Sequence, residues 1–401
     1  MKYIISLLFL GFTMNLSAQN NNEPFKFPAK LKEMRDMVFV PGGTFTMGKH
    51  SGFDPQKKDS NLLCCYLPMR VTCINFFISN HEVTNKEYGL FVTWVQDSIK
   101  RKTGRNIVTP EETLYEFKDE HGKQILNIYP DTTRWTSEFP YQYNDPMSMY
   151  YHKHPTYDDY PVVGISYREA LAYCIWKTFQ INLQMPKGMF ARIRLPYEGE
   201  WEYAALYRTP PKDQNDNIQD IYLYPWNNFS LQDEKGKYNA NFGNIEDENG
   251  LILKSYMDDN ATYTALARSF VTNDLGLYNM SGNVAEWVQG VPDKLNFTDS
   301  LGMKVQITHQ DDINTVINKL RSIKYLNQFD RERIESVAID YMHDADLLHR
   351  ILEPKTVKGG SWADAVIYIQ PGTKEVQNES YTSCRIGFRI AMDVFDQRDT
   401  L

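Results

Sequence analysis

The sequence predicts an irregular, loop-rich globular fold in which short strands and capped helices are held together by aromatic packing. Three observations lead there. Aromatic residues make up 13% of the 401 residues, with 26 Tyr among them, and rings bury large areas that loops can pack around. Strand-like runs are short, and helix starts carry capping boxes. The third is the stretch Gly276-Leu277-Tyr278-Asn279-Met280-Ser281-Gly282-Asn283-Val284-Ala285-Glu286-Trp287, which follows neither a helical nor a strand period. Gly282 permits a tight or positive-φ backbone there. Asn279 and Glu286 offer hard oxygen donors of the kind Ca²⁺ takes, with backbone carbonyls to complete a shell. On the residues alone two readings stay open, a buried turn under Trp287 and a metal loop.

The chain opens with Lys2, the apolar run Tyr3 to Phe12 and Leu16-Ser17-Ala18, which read as a secretory signal over residues 1–18. Residues 19–35 read as a flexible lead-in. Met37 to Gly48 place two short alternating strands around Pro41-Gly42-Gly43, a hairpin signal. A charged loop follows at 50–62, and Arg70 to Ser79 reads as one strand. Thr84 with Glu87 opens a helix as a capping box, with Tyr88, Phe91 and Val92 on one face. Residues 95–158 carry charge, Pro and Tyr throughout. A structureless loop of that length is unusual, so they read as an ordered excursion wrapped over the core.

Ser166 with Glu169 caps a second helix that continues through Ala170, Tyr173, Cys174 and Trp176. Arg192 to Leu195 reads as a strand that Pro196 ends, and a short amphipathic helix follows through Glu200, Trp201 and Ala205. Residues 207–260 are loop-dominated, with Tyr224-Pro225-Trp226 and Asn239-Ala240-Asn241-Phe242-Gly243 as fixed points. Beyond Trp287 the spacing turns helical at 311–326 (Ile313, Val316, Ile317, Leu320). It does so again at 330–352 (Ile334, Val337, Tyr341, Ala345, Leu348, Leu352), with Asp330 as a cap. This predicts a helical pair inserted over 300–352, docked on its own body or offered to a partner. Val357 to Trp362, a strand-like Ala365 to Gln370, and Cys384 to Ile390 suit short closing strands around a buried Phe388. Residues 394–401 are a C-terminal tail.

The net charge of −8 argues against a nucleic-acid partner. Loss of residues 1–18 removes Lys2 and no acid, which takes the charge to −9. No later segment is apolar for long enough to span a membrane. No Cys follows the apolar run to accept a lipid, so no direct membrane anchor is evident. The five cysteines, Cys64, Cys65, Cys73, Cys174 and Cys384, lack metal-type spacing. Adjacent Cys64 and Cys65 are poorly placed to bond to each other. A Cys174–Cys384 bridge is one reading that a disulfide-permissive compartment admits.

Six motifs then occur in order: Val40-Pro41-Gly42-Gly43, Glu82-Val83-Thr84-Asn85, Arg194-Leu195-Pro196 with Glu200-Trp201-Glu202, Gly276 to Trp287, Gly359-Gly360-Ser361-Trp362 and Gly387-Phe388-Arg389. Together they resemble the formylglycine-generating (sulfatase-modifying factor) domain family over about residues 36–393. The resemblance implies a single α+β domain with a C-type-lectin-like fold, poor in regular structure. The family's oxidase uses two cysteines just after Gly-Gly-Ser-Trp to bind copper and oxidise a sulfatase cysteine. The matching positions here are Asp364 and Ile369, neither of which supplies the thiolate that selects Cu(I). No copper and no oxidase chemistry are therefore expected, and no catalytic residue is assigned. The family's structural Ca²⁺ sites carry over better. Asn279, Gly282, Val284 and Glu286 match one, with Gly282 and Val284 acting through carbonyls. Asn241, Phe242, Asp259 and Ala261 match the other on a looser alignment. Both would tie loops together and couple binding to stability.

A narrower likeness lies in Tyr157-Asp158-Asp159-Tyr160-Pro161-Val162-Val163-Gly164, preceded by Tyr129-Pro130-Asp131-Thr132 and Tyr143-Asn144-Asp145-Pro146. It continues in Ala363-Asp364 and Tyr368-Ile369-Gln370-Pro371-Gly372-Thr373. These are similar to catalytically silent gliding-motility and type IX secretion proteins of the GldK, GldJ and PorK type. That likeness implies a non-enzymatic scaffold or ring component, periplasmic and held under the outer membrane through partners. The partners implied are a GldN/PorN-like protein, other ring subunits and further copies of the chain. Two other readings are weighed against it. One is altered chemistry on the same fold, with Asp364, His152, His154 and Asp158 as candidate groups. The other is glycan or peptidoglycan binding through Tyr141, Tyr143, Tyr150 and Tyr151, which could equally pack in the core.

Overall fold

The computed structural model describes residues 35–48, 69–119, 122–138, 145–208, 223–226, 230–243, 245–246, 252–255, 257–290, 297–298, 304–305 and 354–396. The expected signal segment, the lead-in up to residue 34, Cys64 and Cys65, Tyr141 and Tyr143, the helical pair at 311–352 and the tail from 397 lie outside them.

Sixteen short strands and five α-helices make up the described fold, which is mixed α and β with few helices. In chain order the strands begin with β1 (Met37–Val40), β2 (Gly43–Met47), β3 (Met69–Cys73), β4 (Phe76–Ser79), β5 (Leu114–Asp119), β6 (Gly122–Asn127), β7 (Met189–Arg194) and β8 (Ile245–Glu246). They continue with β9 (Ile252–Lys254), β10 (Ala285–Val288), β11 (Phe297–Thr298), β12 (Lys304–Val305), β13 (Pro354–Lys358), β14 (Lys374–Asn378), β15 (Ile386–Phe388) and β16 (Ala391–Asp396). The helices are α1 (Asn85–Thr103), α2 (Arg134–Glu138), α3 (Pro146–Tyr150), α4 (Tyr167–Asn182) and α5 (Glu198–Ala205).

The two long helices begin where their caps dictate. The Thr84 hydroxyl accepts the Glu87 amide, and the Glu87 carboxylate accepts the Thr84 amide at 2.9 Å. Ser166 and Glu169 do the same for α4. Each closes backbone donors that a helix start leaves open. Tyr88, Phe91, Val92 and Val95 of α1 are buried against Tyr173 and Trp176 of α4. The rings of Tyr88 and Tyr173 stack at 5.6 Å, and Phe388 meets Tyr173 edge-on at 5.4 Å. Each such buried ring contributes about 1.5–3 kcal/mol.

One antiparallel sheet runs in the order β1-β4-β16-β7. A second four-stranded sheet runs β14-β13-β10-β15, antiparallel except that β10 and β15 lie parallel, and β2-β3, β5-β6, β8-β9 and β11-β12 are two-stranded. That parallel pair sets Trp287 opposite Phe388. Arg389 thereby leaves β15 beside Glu286.

Several elements differ from expectation. β1 and β2 do not pair with each other: β1 joins β4 and β2 joins β3. At the crossing, the Gly42 amide donates to Asn75 Oδ1 at 2.6 Å, and a Cβ on Gly42 would stand 2.7 Å from the Cys73 carbonyl oxygen. The chain passes from sheet to hairpin there instead of turning back. The same contact breaks the expected 70–79 strand at Ile74 and Asn75. Within 95–158, α1 runs on to Thr103, stopped by Gly104 at φ +71°, and β5 and β6 form a hairpin. Ala365 to Gln370 is not a strand. It folds in turns, with the Tyr368 amide bonded to the Ala365 carbonyl at 2.9 Å and the Thr373 hydroxyl to the Tyr368 carbonyl at 2.9 Å. Cys174 and Cys384 are free thiols, so the admitted bridge is absent. Cys174 lies in the large core cluster with Tyr173 and Trp176, and Cys384 in a separate cluster around Trp135 and Trp362. Among the described residues no helix is long and apolar enough to cross a membrane.

Candidate functional site

Residues 276–284 form a backbone knot between loops. Asn279 and Asn283 take left-handed φ of +52° and +66°, and Gly282 sits at +74°. A Cβ on Gly282 would collide with the Asn241 carbonyl oxygen, so only glycine fits the crossing. The Gly282 amide donates to the Gly359 carbonyl at 2.8 Å, the Asn283 amide to the Asn241 carbonyl at 2.8 Å, and the Trp362 amide to the Asn283 carbonyl at 2.9 Å. Three distant segments, around 241, 282 and 360, are thus held in register, and the two oxygen sets expected for calcium become neighbours.

The first set lies in a buried charge cluster. Arg389 grips Glu286 bidentately, Nε to Oε2 at 2.6 Å and Nη2 to Oε1 at 2.7 Å, with both side chains fully buried. Trp201 Nε1 donates to Glu286 Oε2 at 2.7 Å. Arg389 also donates to the Ser79 and Tyr278 carbonyls. Beside it, Glu82 accepts Asn279 Nδ2 at 3.1 Å and Asn283 Nδ2 at 2.9 Å. Burial, with Glu286 adding to it, pushes the Glu82 carboxyl up to about 8 despite the pull of Arg389. Asn279 Oδ1 is buried and accepts no hydrogen bond. A buried acceptor without a donor, beside two carboxylates that share one guanidinium, fits a cation.

The second set also converges. Asp259 accepts the Phe242 amide at 3.2 Å and the Ala261 amide at 3.1 Å, while Asn241 Nδ2 donates to the Tyr263 carbonyl at 2.7 Å. Its centre, however, is filled. The Lys254 ammonium lies 3.0 Å from Asp259 Oδ2 and 2.7 Å from the Phe242 carbonyl oxygen. Asn241 Oδ1 is buried without a donor, as Asn279 Oδ1 is in the first set, but the ammonium already occupies the carbonyl and carboxylate oxygens, so this set does not fit an added metal ion. Lys254 escaped the sequence reading; its only signal is a cation closing the apolar run Leu251-Ile252-Leu253.

The positions matched to the family's cysteines lie elsewhere. Asp364 Oδ2 accepts the Ser361 amide at 2.7 Å and the Ser361 hydroxyl at 2.5 Å, and Arg385 Nη1 stands 3.7 Å from Oδ1. Ile369 is fully buried with Tyr224, Trp226 and Phe242. The three described cysteines are buried as well. Burial raises the Cys73 thiol to about 12, Cys174 is pushed up in the same way, and at Cys384 the Glu138 carboxylate adds to the burial. Thiols so placed are poor sources of thiolate.

His152 and His154 do not act together. Burial lowers His152 to about 3, and its Nε2 has no partner. His154 Nδ1 instead accepts the Thr156 amide as a turn cap. Asp158 contributes its backbone, accepting the Lys86 amide at 2.9 Å. Among the described residues, no three His, Cys, Asp or Glu side chains are grouped to hold a metal. Tyr151 is core, its hydroxyl donating to the Pro161 carbonyl at 2.6 Å, while Tyr150 is exposed.

A family model, the sulfatase-modifying factor enzyme 1-like domain, matches residues 23–394. The chain is 28% identical over 256 residues to the formylglycine-generating enzyme of Mus musculus, covering 63% of this chain and 57% of that protein. It is 29% identical over 263 residues to the inactive C-alpha-formylglycine-generating enzyme 2 of Bos taurus, covering 63% and 69%. The chain thus spans little more than half the length of the mouse relative. The solved structure of PvdO from Pseudomonas aeruginosa aligns over 89% of this chain and 94% of that one, with 19% identity and a TM-score of 0.43.

Proposed function

We propose a non-catalytic scaffold role for this chain, which belongs to the sulfatase-modifying factor enzyme 1-like domain family. In this reading it is a component of the type IX secretion or gliding-motility machinery, held in the periplasm under the outer membrane by protein contacts. Its partners are a GldN/PorN-like protein, other ring subunits and further copies of itself.

The observation that carries the non-catalytic part is the chemistry at Asp364 and Ile369. The Asp364 carboxylate is spent on a turn with Ser361, and Ile369 is sealed in the core. A carboxylate is a hard ligand and an isoleucine none, so neither suits Cu(I). A relative named as inactive, at similar identity, supports loss of the oxidase chemistry within this family. The narrower assignment rests on the motifs at 129–132, 157–164 and 363–373. One structural Ca²⁺ would be held by Asn279 Oδ1, the Gly282 and Val284 carbonyls and Glu286, bracing the loop knot.

The test is affinity purification of the tagged protein from gently solubilised envelopes, with mass spectrometry of what accompanies it. Recovery of secretion-ring proteins is expected. A monomer recovered alone from the periplasmic extract would overturn the scaffold reading. A parallel incubation with copper and a cysteine-containing sulfatase peptide should leave the peptide unchanged; conversion to formylglycine would sink the non-catalytic part.

A further inference from the structure

We infer that the Lys254 ammonium is the resident cation of the second oxygen site, taking the place a divalent metal ion would otherwise fill. Four oxygens surround Nζ: the Phe242 carbonyl at 2.7 Å, Asp259 Oδ2 at 3.0 Å, the Ser255 carbonyl at 3.1 Å and the Gly243 carbonyl at 3.3 Å. Carbonyls joined by one carboxylate are the donor set of a hard-cation site. Two aromatic faces close the remaining sides, Phe242 with its centroid 4.2 Å from Nζ and Tyr238 at 5.1 Å, an arrangement that attracts a cation through the ring quadrupole. Both Lys254 and Asp259 are fully buried.

Charge decides between the two occupants. One carboxylate balances one ammonium and leaves the buried site neutral. A divalent ion added beside the lysine would leave two uncompensated positive charges away from water, against one for the same ion beside Arg389 with Glu286 and Glu82 ionised, and such charge is costly. β8 and β9 pair Ile245 with Lys254, which returns the lysine to the carbonyls that precede β8. The same carbonyl segment is bonded onward, since the Gly243 amide donates to the Asp364 carbonyl at 2.8 Å. The lysine therefore fixes the loop on which the 361–364 turn rests, without calling on a metal.

The experiment counts tightly bound Ca²⁺ by equilibrium dialysis and follows thermal unfolding with and without CaCl₂. It compares the wild type, Asp259→Asn and Lys254→Ala. The inference requires that Asp259→Asn leave the wild-type Ca²⁺ count unchanged. It also requires that Lys254→Ala, with the cavity opened and Asp259 unpaired, bind one more equivalent than the wild type. Its Tm should then rise with Ca²⁺ by about 2–4 °C more than the wild type's. Loss of one equivalent on Asp259→Asn would overturn the inference, because a metal would then share the site with the lysine. A folded Lys254→Ala that gains no equivalent would overturn it equally. Should Lys254→Ala fail to fold even in CaCl₂, the comparison of wild type with Asp259→Asn decides alone. Calcium at Asn279 contributes equally to all three proteins and cancels.

Discussion

The two buried oxygen clusters on either side of the Asn241–Gly282 crossing use the same materials and reach opposite ends. Around Arg389, one guanidinium serves two carboxylates, Glu286 directly and Glu82 at one remove. Around Lys254, one ammonium serves one carboxylate. The first cluster holds one carboxyl group more than it has cations, and Glu82 answers by keeping its proton up to about 8; each cluster leaves one asparagine oxygen without a donor, Asn279 Oδ1 here and Asn241 Oδ1 beside Lys254. The second is neutral and closed by rings. Ligand type does not separate them, since both offer carbonyls and a carboxylate. The number of carboxyl groups set against each cation does.

The sharpest way to break this comparison is to remove each cation in turn. Arg389→Met strands Glu286 without a counter-charge, removes the pull that opposes protonation of Glu82, and frees the Ser79 and Tyr278 carbonyls. Breaking a buried pair from one side costs about 3–5 kcal/mol, and the loss of a bidentate pair together with two carbonyl bonds places this variant at the upper end. Urea unfolding should show a large fall in midpoint, or no folded protein at all. Lys254→Met strands one carboxylate and keeps the aliphatic packing, so its cost should be smaller, about 3 kcal/mol. Adding Asp259→Asn should recover part of that loss, as the stranded charge goes with it. A Lys254→Met variant less stable than Arg389→Met would mean that the number of carboxyl groups per cation does not rank the two clusters.

Much of this frame was readable in the sequence, because its signals are local. Thr84 with Glu87 and Ser166 with Glu169 are three residues apart and mark their helices correctly. Pro196 separates β7 from α5, and Phe388 sits in the core as its apolar surroundings suggested. The family motifs brought Asn279, Gly282, Asn241 and Asp259 forward, and the fold sets them side by side. Pairing across long separations was not readable. Arg389 meets Glu286 across 103 positions, and Asn279 meets Glu82 across 197. Each residue stood in a recognised motif, yet nothing local says that they share a charge. β1 and β2 looked like a hairpin because two alternating runs flank a Gly-Gly turn, and register with β3 and β4 is a tertiary matter. Ala365 to Gln370 has β-branched residues at strand spacing, but Ile369 is buried by a turn rather than by a sheet.

The surplus carboxyl group of the first cluster can also be titrated. Below about 4.5, its ordinary value, Glu82 is protonated in folded and unfolded chains alike. Between there and about 8 the folded state keeps a proton that the unfolded chain has released. Stability therefore falls as pH rises through that window and levels off above it. Glu169, and Glu375 on β14, are both raised to about 7 by burial and add to the same slope. Glu82→Gln should remove part of the slope in urea midpoints taken from pH 5 to 8, leaving the rest. Asp259→Asn should not flatten it as much, since the Lys254 pairing opposes the upward push of burial on Asp259. A slope untouched by Glu82→Gln would mean the proton is held elsewhere.

The smallest expected effect concerns the turn that joins the neutral cluster to the position where the family's oxidase has a cysteine. Asp364 receives the Ser361 amide and hydroxyl, and loss of such a side-chain cap costs about 1 kcal/mol. Its link to the Lys254 site runs through the backbone carbonyl that accepts the Gly243 amide, which a side-chain truncation leaves in place. Asp364→Ala should therefore lower stability by about 1 kcal/mol and leave the Ca²⁺ count of the wild type unchanged. Asp364→Asn, which keeps an acceptor for Ser361, should recover most of the loss. If Asp364→Ala instead cost as much as Lys254→Met, the turn and the lysine site would have to be one cooperative unit, and the boundary drawn between the two clusters would move to include residues 361–364.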